Sequence, residues 1–162
     1  MRKSCEEEIC FACDAMLGGL ARWLRAFGYD AFWEYGIDDR CLVETALENN
    51  MFLLTADRRM MERRVIRDRT VRSLLVPRSA DKENRFRFVV RNLGLDRKPT
   101  RCMSCGGRIR QLSRQEACGR VPPRTYALLD RFMECSRCGK ILWKGDHWQR
   151  IESLLRDVTC DE

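Results

Sequence analysis

Two cysteine pairs of one form set the tightest constraint on this chain. Cys102-Met-Ser-Cys105 is followed by Gly106-Gly107, and Cys135-Ser-Arg-Cys138 is followed by Gly139. A Cys-x-x-Cys knuckle points two thiolates at one ion, and a glycine just beyond it permits the left-handed turn that brings backbone N–H groups toward the sulfurs. Twenty-nine residues separate Cys105 from Cys135, room for the chain to leave and return, so the four thiolates can close a tetrahedral site for a structural zinc ion. The chain holds ten cysteines in 162 residues, below the density of a disulfide scaffold. Its first residues, MRKSCEEEICFACD, carry glutamates where a secretory signal needs an apolar segment. Metal binding is therefore expected over disulfides, with a cytoplasmic location. No apolar run approaches the ~20 residues of a membrane span, so a membrane is not among the expected partners.

A third pair, Cys10-Phe-Ala-Cys13, lies in an apolar run that reads as a buried strand. Residues three apart on a strand face opposite sides, so these two thiols are read as small core residues and not as a metal site.

From residue 9 to about residue 95, short apolar runs alternate with amphipathic stretches of helical length, the pattern of an α/β domain with a parallel sheet. Strands are predicted at 9–13, 30–34, 51–55 and 73–76, and helices at 16–27, 39–48, 58–67 and 82–92. Leu17, Leu20, Ala21, Leu24 and Phe27 recur at the helical period, and Gly28 stands where that helix should stop. The polar segment 95–100, with Pro99, reads as a linker. Residues 1–96 are thus one predicted domain, and 97–162 a cysteine module ending in an amphipathic helix over 148–156. The charge follows this division. The first domain carries seventeen basic and sixteen acidic residues, whereas the second carries fourteen and eight. A basic module beside a near-neutral domain suits a polyanion, although twenty-six of the 31 basic residues are arginine, which genomic base composition can inflate.

In an open α/β sheet, chemistry gathers beyond the carboxyl ends of the parallel strands. Asp14 directly follows the first strand, Asp38 and Asp39 follow the second, and Asp57 follows the third in Leu53-Leu-Thr-Ala-Asp57. Each is also a standard helix N-cap, which would account for it without catalysis. Three strand exits delivering carboxylates to one edge nevertheless make a cluster that a hard cation such as Mg²⁺ or Mn²⁺ would neutralise. Arg22 and Arg25, on the helix after Asp14, and Arg58 and Arg59, after Asp57, are candidate phosphate contacts or plain solvated charge. His147, the one histidine, sits between Trp143 and Trp148, and packing or a nucleic-acid contact suits it better than a zinc site already filled by four thiolates.

The block Asp14-Ala-Met-Leu-Gly-Gly-Leu-Ala-Arg-Trp-Leu-Arg-Ala-Phe-Gly-Tyr-Asp30, then Asp38-Asp39, Leu53-Leu-Thr-Ala-Asp57, the two knuckles and Trp143-Lys-Gly-Asp-His147, resembles one family over roughly residues 9–156. That family is the PIN-like ribonuclease domain first described at the C-terminus of a mutator exonuclease (Mut-seven C-terminal), with an appended zinc ribbon. The resemblance implies a PIN-like three-layer α/β fold with a small parallel sheet plus a C-terminal zinc ribbon. It also implies hydrolysis of RNA with catalytic Mg²⁺ or Mn²⁺ held by Asp14, Asp39 (or Asp38) and Asp57, with Glu44 as a further acid. Arg22, Arg25, Arg58 and His147 would then meet RNA, and the zinc on Cys102, Cys105, Cys135 and Cys138 would be structural. The rival reading is a non-catalytic RNA- or ribosome-associated binding protein on the same scaffold. A toxin-like nuclease held by a protein inhibitor is a third.

Overall fold

A computed structural model describes residues 8–159, without the side chains of residues 146, 147 and 159. Cys5 and Cys160 lie outside the described residues. Four parallel strands form the first sheet: β1 (Cys10–Cys13), β2 (Asp30–Phe32), β3 (Phe52–Thr55) and β4 (Ser73–Leu75), in the spatial order β2-β1-β3-β4. The register pairs Phe11 with Ala31 and Phe52, and Leu54 with Leu74. Parallel neighbours need crossovers, and helices supply them. After β1, a 3₁₀ turn (Ala15–Leu17) leads into α1 (Gly18–Phe27), which Gly28 ends at φ +107°. Then come α2 (Asp39–Glu48), α3 (Arg58–Met61), α4 (Arg64–Arg67) and α5 (Lys82–Leu93).

Strand alternation divides the core in two. Phe11, Cys13 and Leu54 face one side, where they pack with Leu20, Leu24 and Phe27 of α1 and Phe86, Val89 and Val90 of α5. Ala12 and Leu53 face the other, against Leu42, Val43 and Ala46 of α2, Met60 of α3 and Ile66 of α4. Helices on both faces make the three layers that were expected. The stretch 58–67 is two short helices and not one, because Arg63 is extended (ψ 135°). Six helical residues turn the chain through about 600°, so Met60 and Ile66 of one continuous helix would point about 120° apart. The break lets both enter the same core.

The second sheet is antiparallel: β5 (Ile109–Leu112), β6 (Phe132–Cys135) and β7 (Ile141–Trp143), in that order. Two short helices, α6 (Arg114–Ala117) and α7 (Pro123–Leu128), fill the excursion between the knuckles, and Ser113 opens α6 with a capping box to Glu116. Helix α8 (Asp146–Thr159) returns to the α/β domain, where Ile151, Leu154, Leu155 and Val158 join the core beside α5.

Segment 95–101 is an ordered strap across the end of α1 and not a free linker. The carbonyls of Arg25, Ala26, Phe27 and Gly28 stand at the end of α1, where that of Arg25 has the Gly28 N–H (3.1 Å) and the other three would otherwise lack partners, as the last carbonyls of a helix do. They accept from the Arg101 N–H (2.9 Å), the Thr100 hydroxyl (2.9 Å), the Lys98 N–H (2.9 Å) and Arg101 Nε (3.1 Å). Contact at Gly28 is so close that an added Cβ would stand 2.5 Å from Lys98 Cβ. Among the described residues, no helix is long and apolar enough to cross a membrane.

Candidate functional site

At the carboxyl ends of β1 and β3, one buried hydroxyl links the Asp14 carboxylate to the backbone of Asp57. Thr55 Oγ1 donates to Asp14 Oδ2 (2.8 Å) and accepts from the Asp57 N–H (3.0 Å). Asp14 is itself buried, at 5% exposure, and its Oδ1 accepts from the Met16 N–H (3.4 Å). Asp57 is partly exposed and caps α3, its Oδ1 accepting from the Arg59 N–H (2.8 Å). Asp38 caps α2 through the Arg40 N–H (2.7 Å). Asp39, the first residue of α2, caps nothing. Its Oδ2 lies 3.8 Å from Arg63 Nη2, and its side chain is 45% exposed. Burial, and then the charge of Asp14, push the Asp39 carboxyl above the usual aspartate range; Arg63 opposes the shift, while Asp57 and Asp38 add to it. The acids on the exits of β1, β2 and β3 therefore share one field. Three of them also cap helices, as the alternative reading of the sequence allows. Glu44 is engaged by Arg40 (2.8 Å) on the exposed face of α2.

Cationic groups flank this edge. Arg58 and Arg59 are exposed beyond Asp57. Arg58, Arg78 and Ser79 line an open depression of about 550 Å³ beside the ends of β3 and β4. Arg22 is exposed on α1.

Arg25, expected as a phosphate contact, is instead buried and turned to backbone carbonyls. It is 4% exposed, donates from Nε (2.9 Å) and Nη2 (2.6 Å) to the Ala31 carbonyl, and from Nη1 to the carbonyls of Met103 (3.0 Å) and Ser104 (2.9 Å). It joins α1 and β2 to the first knuckle. The His147 side chain lies outside the described residues.

The four knuckle cysteines converge. All their Sγ atoms lie within 4.8 Å of one another, with Cys102 and Cys138 at 3.8 Å and Cys105 and Cys135 at 3.4 Å. Among the described residues, no three carboxylates are drawn that close. The loop around the thiols is shaped for a metal. Gly106 (φ +78°) and Gly139 (φ +68°) make the left-handed turns, and the N–H groups of Arg137 (3.4 Å) and Cys138 (3.5 Å) point at Cys135 Sγ. A Cβ on Gly107 would stand 2.7 Å from Cys135 Sγ. The Cys10/Cys13 pair is outside this group, with Cys13 fully buried in the core, as the strand reading requires.

Two residues that the sequence does not single out prove structural to these sites. Thr55 holds the Asp14 carboxylate and the Asp57 backbone N–H, and its signal was a hydroxyl two residues before an acid at a strand end. Arg101, buried, donates to Gly28 O, Gly106 O (3.1 Å) and Glu8 Oε1 (2.7 Å), and nothing in the local pattern marks it.

A three-layer α/β domain with acids at its strand exits and a four-cysteine ribbon docked on one side defines the class. The chain belongs to the Mut7-C RNAse domain family, whose model matches residues 9–155. No match was found among curated proteins or among solved structures.

Proposed function

We propose that this protein is a metal-dependent ribonuclease that hydrolyses RNA phosphodiester bonds at the edge formed by Asp14, Asp39 and Asp57, with zinc on the four cysteines holding the ribbon in shape. The reading draws above all on the Thr55 hydroxyl, which bonds the Asp14 carboxylate and the Asp57 backbone N–H at the carboxyl end of the sheet, and on Asp39, which feels the charge of both acids. Oxygen donors of this kind suit Mg²⁺ or Mn²⁺, which often keeps several waters and takes only one or two carboxylates directly. When bound, such an ion supplies a nucleophilic water at neutral pH and neutralises charge building on the phosphate. The chain does the rest. Thr55 and the Met16 N–H hold the Asp14 carboxylate in one orientation, and the Arg59 N–H fixes one oxygen of Asp57 and leaves the other available. Arg58 and Arg78, beside the depression next to Asp57, are placed to hold the phosphates that flank the scissile bond.

A second reading, an RNA-binding module without hydrolysis, draws on the capping roles of Asp14, Asp38 and Asp57. Incubating zinc-loaded protein with single-stranded RNA and Mn²⁺ separates the two. Cleavage by the wild type that is lost in Asp14→Asn and Asp57→Asn supports the ribonuclease. Equal cleavage by all three proteins identifies a contaminant, and its absence from all three leaves the binding module.

A further inference from the structure

Away from the acidic edge, a cleft of about 770 Å³ opens where the ribbon, the strap and α8 meet α1. Its apolar surface comes from Met103, Ile109, Met133, Leu142 and Ile151, and Trp143 and Trp148 present aromatic rings to it. Among the described residues that line it, five are cationic and none is acidic: Arg22, Arg97, Arg101, Lys140 and Lys144. Two of these are committed elsewhere, Arg97 to Glu152 (2.7 Å) and Arg101 to Glu8. Arg22 has no hydrogen-bond or ion-pair partner among the described residues, Lys140 meets only the neutral Ser104 hydroxyl (3.0 Å), and Lys144 lies over the Trp148 ring (5.3 Å). Among the described residues, the buried indole N–H of Trp148 and the buried Oε2 of Glu152 each lack a hydrogen-bond partner. A second, smaller hollow shares Arg22, Met103 and Ile151 with the cleft and continues past Lys82, Glu83 and Arg150 to Gly19, in the first turn of α1. That turn follows directly on the 3₁₀ turn capped by Asp14.

We propose that this cleft is a subsite for an unpaired nucleotide of single-stranded RNA, with a base against Trp143 and Trp148, its phosphates on Arg22 and the two lysines, and the strand running over the N-terminal half of α1 toward Asp14. This assignment rests on the reading of the protein as an RNA-processing enzyme and specifies where the substrate is held. The occupant follows from complementarity. A lining with more cations than acids calls for an anion, the exposed Trp143 ring and the half-buried Trp148 beside it call for a flat partner, and a nucleotide is both. Gly18 and Arg22 are four helical residues apart, about 6 Å of rise, so a phosphate on Arg22 would lie near the first turn of α1, on the way to Asp14.

The test uses the full zinc-loaded chain carrying Asp57→Asn, so that the probe survives, and a 5′-labelled oligouridylate read by fluorescence anisotropy, beside an RNA duplex. Adding Trp143→Ala should weaken oligouridylate binding about tenfold, the size of loss that removing one stacking platform produces, and leave duplex binding unchanged. Adding Arg22→Gln should weaken it severalfold and reduce the salt dependence by about one phosphate contact. Unchanged oligouridylate affinity in both variants, at the wild-type thermal midpoint, would overturn the assignment and turn attention to an apolar peptide as occupant. Equal losses for single strand and duplex would overturn it too. The hydrolytic reading fails separately: selective loss of binding in a chain whose wild type never cleaves RNA keeps the subsite, whereas cleavage with an unaltered KM in Trp143→Ala keeps the nuclease and removes the subsite.

Discussion

Thr55 is the hinge of the site at the residue scale, since one buried hydroxyl serves as donor to Asp14 and acceptor for Asp57. Thr55→Val keeps the shape and removes both bonds, leaving a buried carboxylate short of a donor. That should cost about 1–3 kcal/mol in chemical denaturation and reduce RNA cleavage more than it weakens RNA binding. Asp39 carries the opposite kind of signal. Its carboxyl is raised by burial and by Asp14, so the native chain holds that proton more tightly than the unfolded chain does. Its contribution to stability is present in acid and is lost as pH rises from the ordinary aspartate value through the raised one. Asp39→Asn should therefore raise the thermal midpoint slightly at neutral pH, about 1–2 °C for a half-exposed group, and leave it unchanged below the aspartate range, while impairing Mn²⁺ binding. Stabilisation with loss of metal affinity is what a site strained by like charges shows. Residue types on strand ends were enough to find these acids. They could not tell Arg22 from Arg25, both on the same helix, because only the docking of the knuckle behind α1 buries the second.

Elements show the same division between local and non-local information. The knuckles and the strands were readable because a glycine beyond a Cys-x-x-Cys and a run of apolar residues are local signals. The Cys10/Cys13 pair was separable from them by the period of a strand alone. The break at Arg63 was not readable, since both halves are helical and only the shared core of Met60 and Ile66 demands it. Nor was the strap over α1, whose bonds join residues about 75 apart. These bonds would give a zinc ion on the four thiolates a reach beyond its own module. The carbonyls of Met103 and Ser104 bind Arg25, that of Cys105 binds Arg137 (2.7 Å), and Arg137 reaches Asp30 on β2 (2.9 Å). The ribbon's own core, Leu112, Ala117, Val121 and Phe132, is too small to fold unaided. Cys138→Ser should abolish zinc binding, expose residues 102–140 to limited proteolysis and lower the midpoint of the α/β domain as well. A zinc-free variant with the wild-type cleavage pattern would show that the thiols do not hold the module together.

Over the whole molecule, half of the basic residues of the last third are spent on ion pairs. Arg97, Arg101, Arg108, Arg110, Arg114, Arg120 and Arg137 each meet an acid, and several of these pairs join the ribbon or the strap to α8 and the sheet edge. Net charge pointed toward a polyanion. Among the cations outside these pairs, the groupings of Arg22 with Lys140 and Lys144 at the cleft and of Arg58 with Arg78 beside Asp57 emerge only once the pairs are drawn. Helix α8 likewise follows the ribbon in sequence but packs in the core of the α/β domain, so the cleft between them is bounded by both parts of the chain. The central claim remains the cation at the sheet edge, and calorimetric titration of Mn²⁺ into the zinc-loaded chain tests it most directly. Saturable binding in the wild type that disappears in Asp14→Asn, with the fold and the zinc retained, is the predicted result. A wild type that takes up no Mn²⁺, or binding that Asp14→Asn leaves intact, would contradict it.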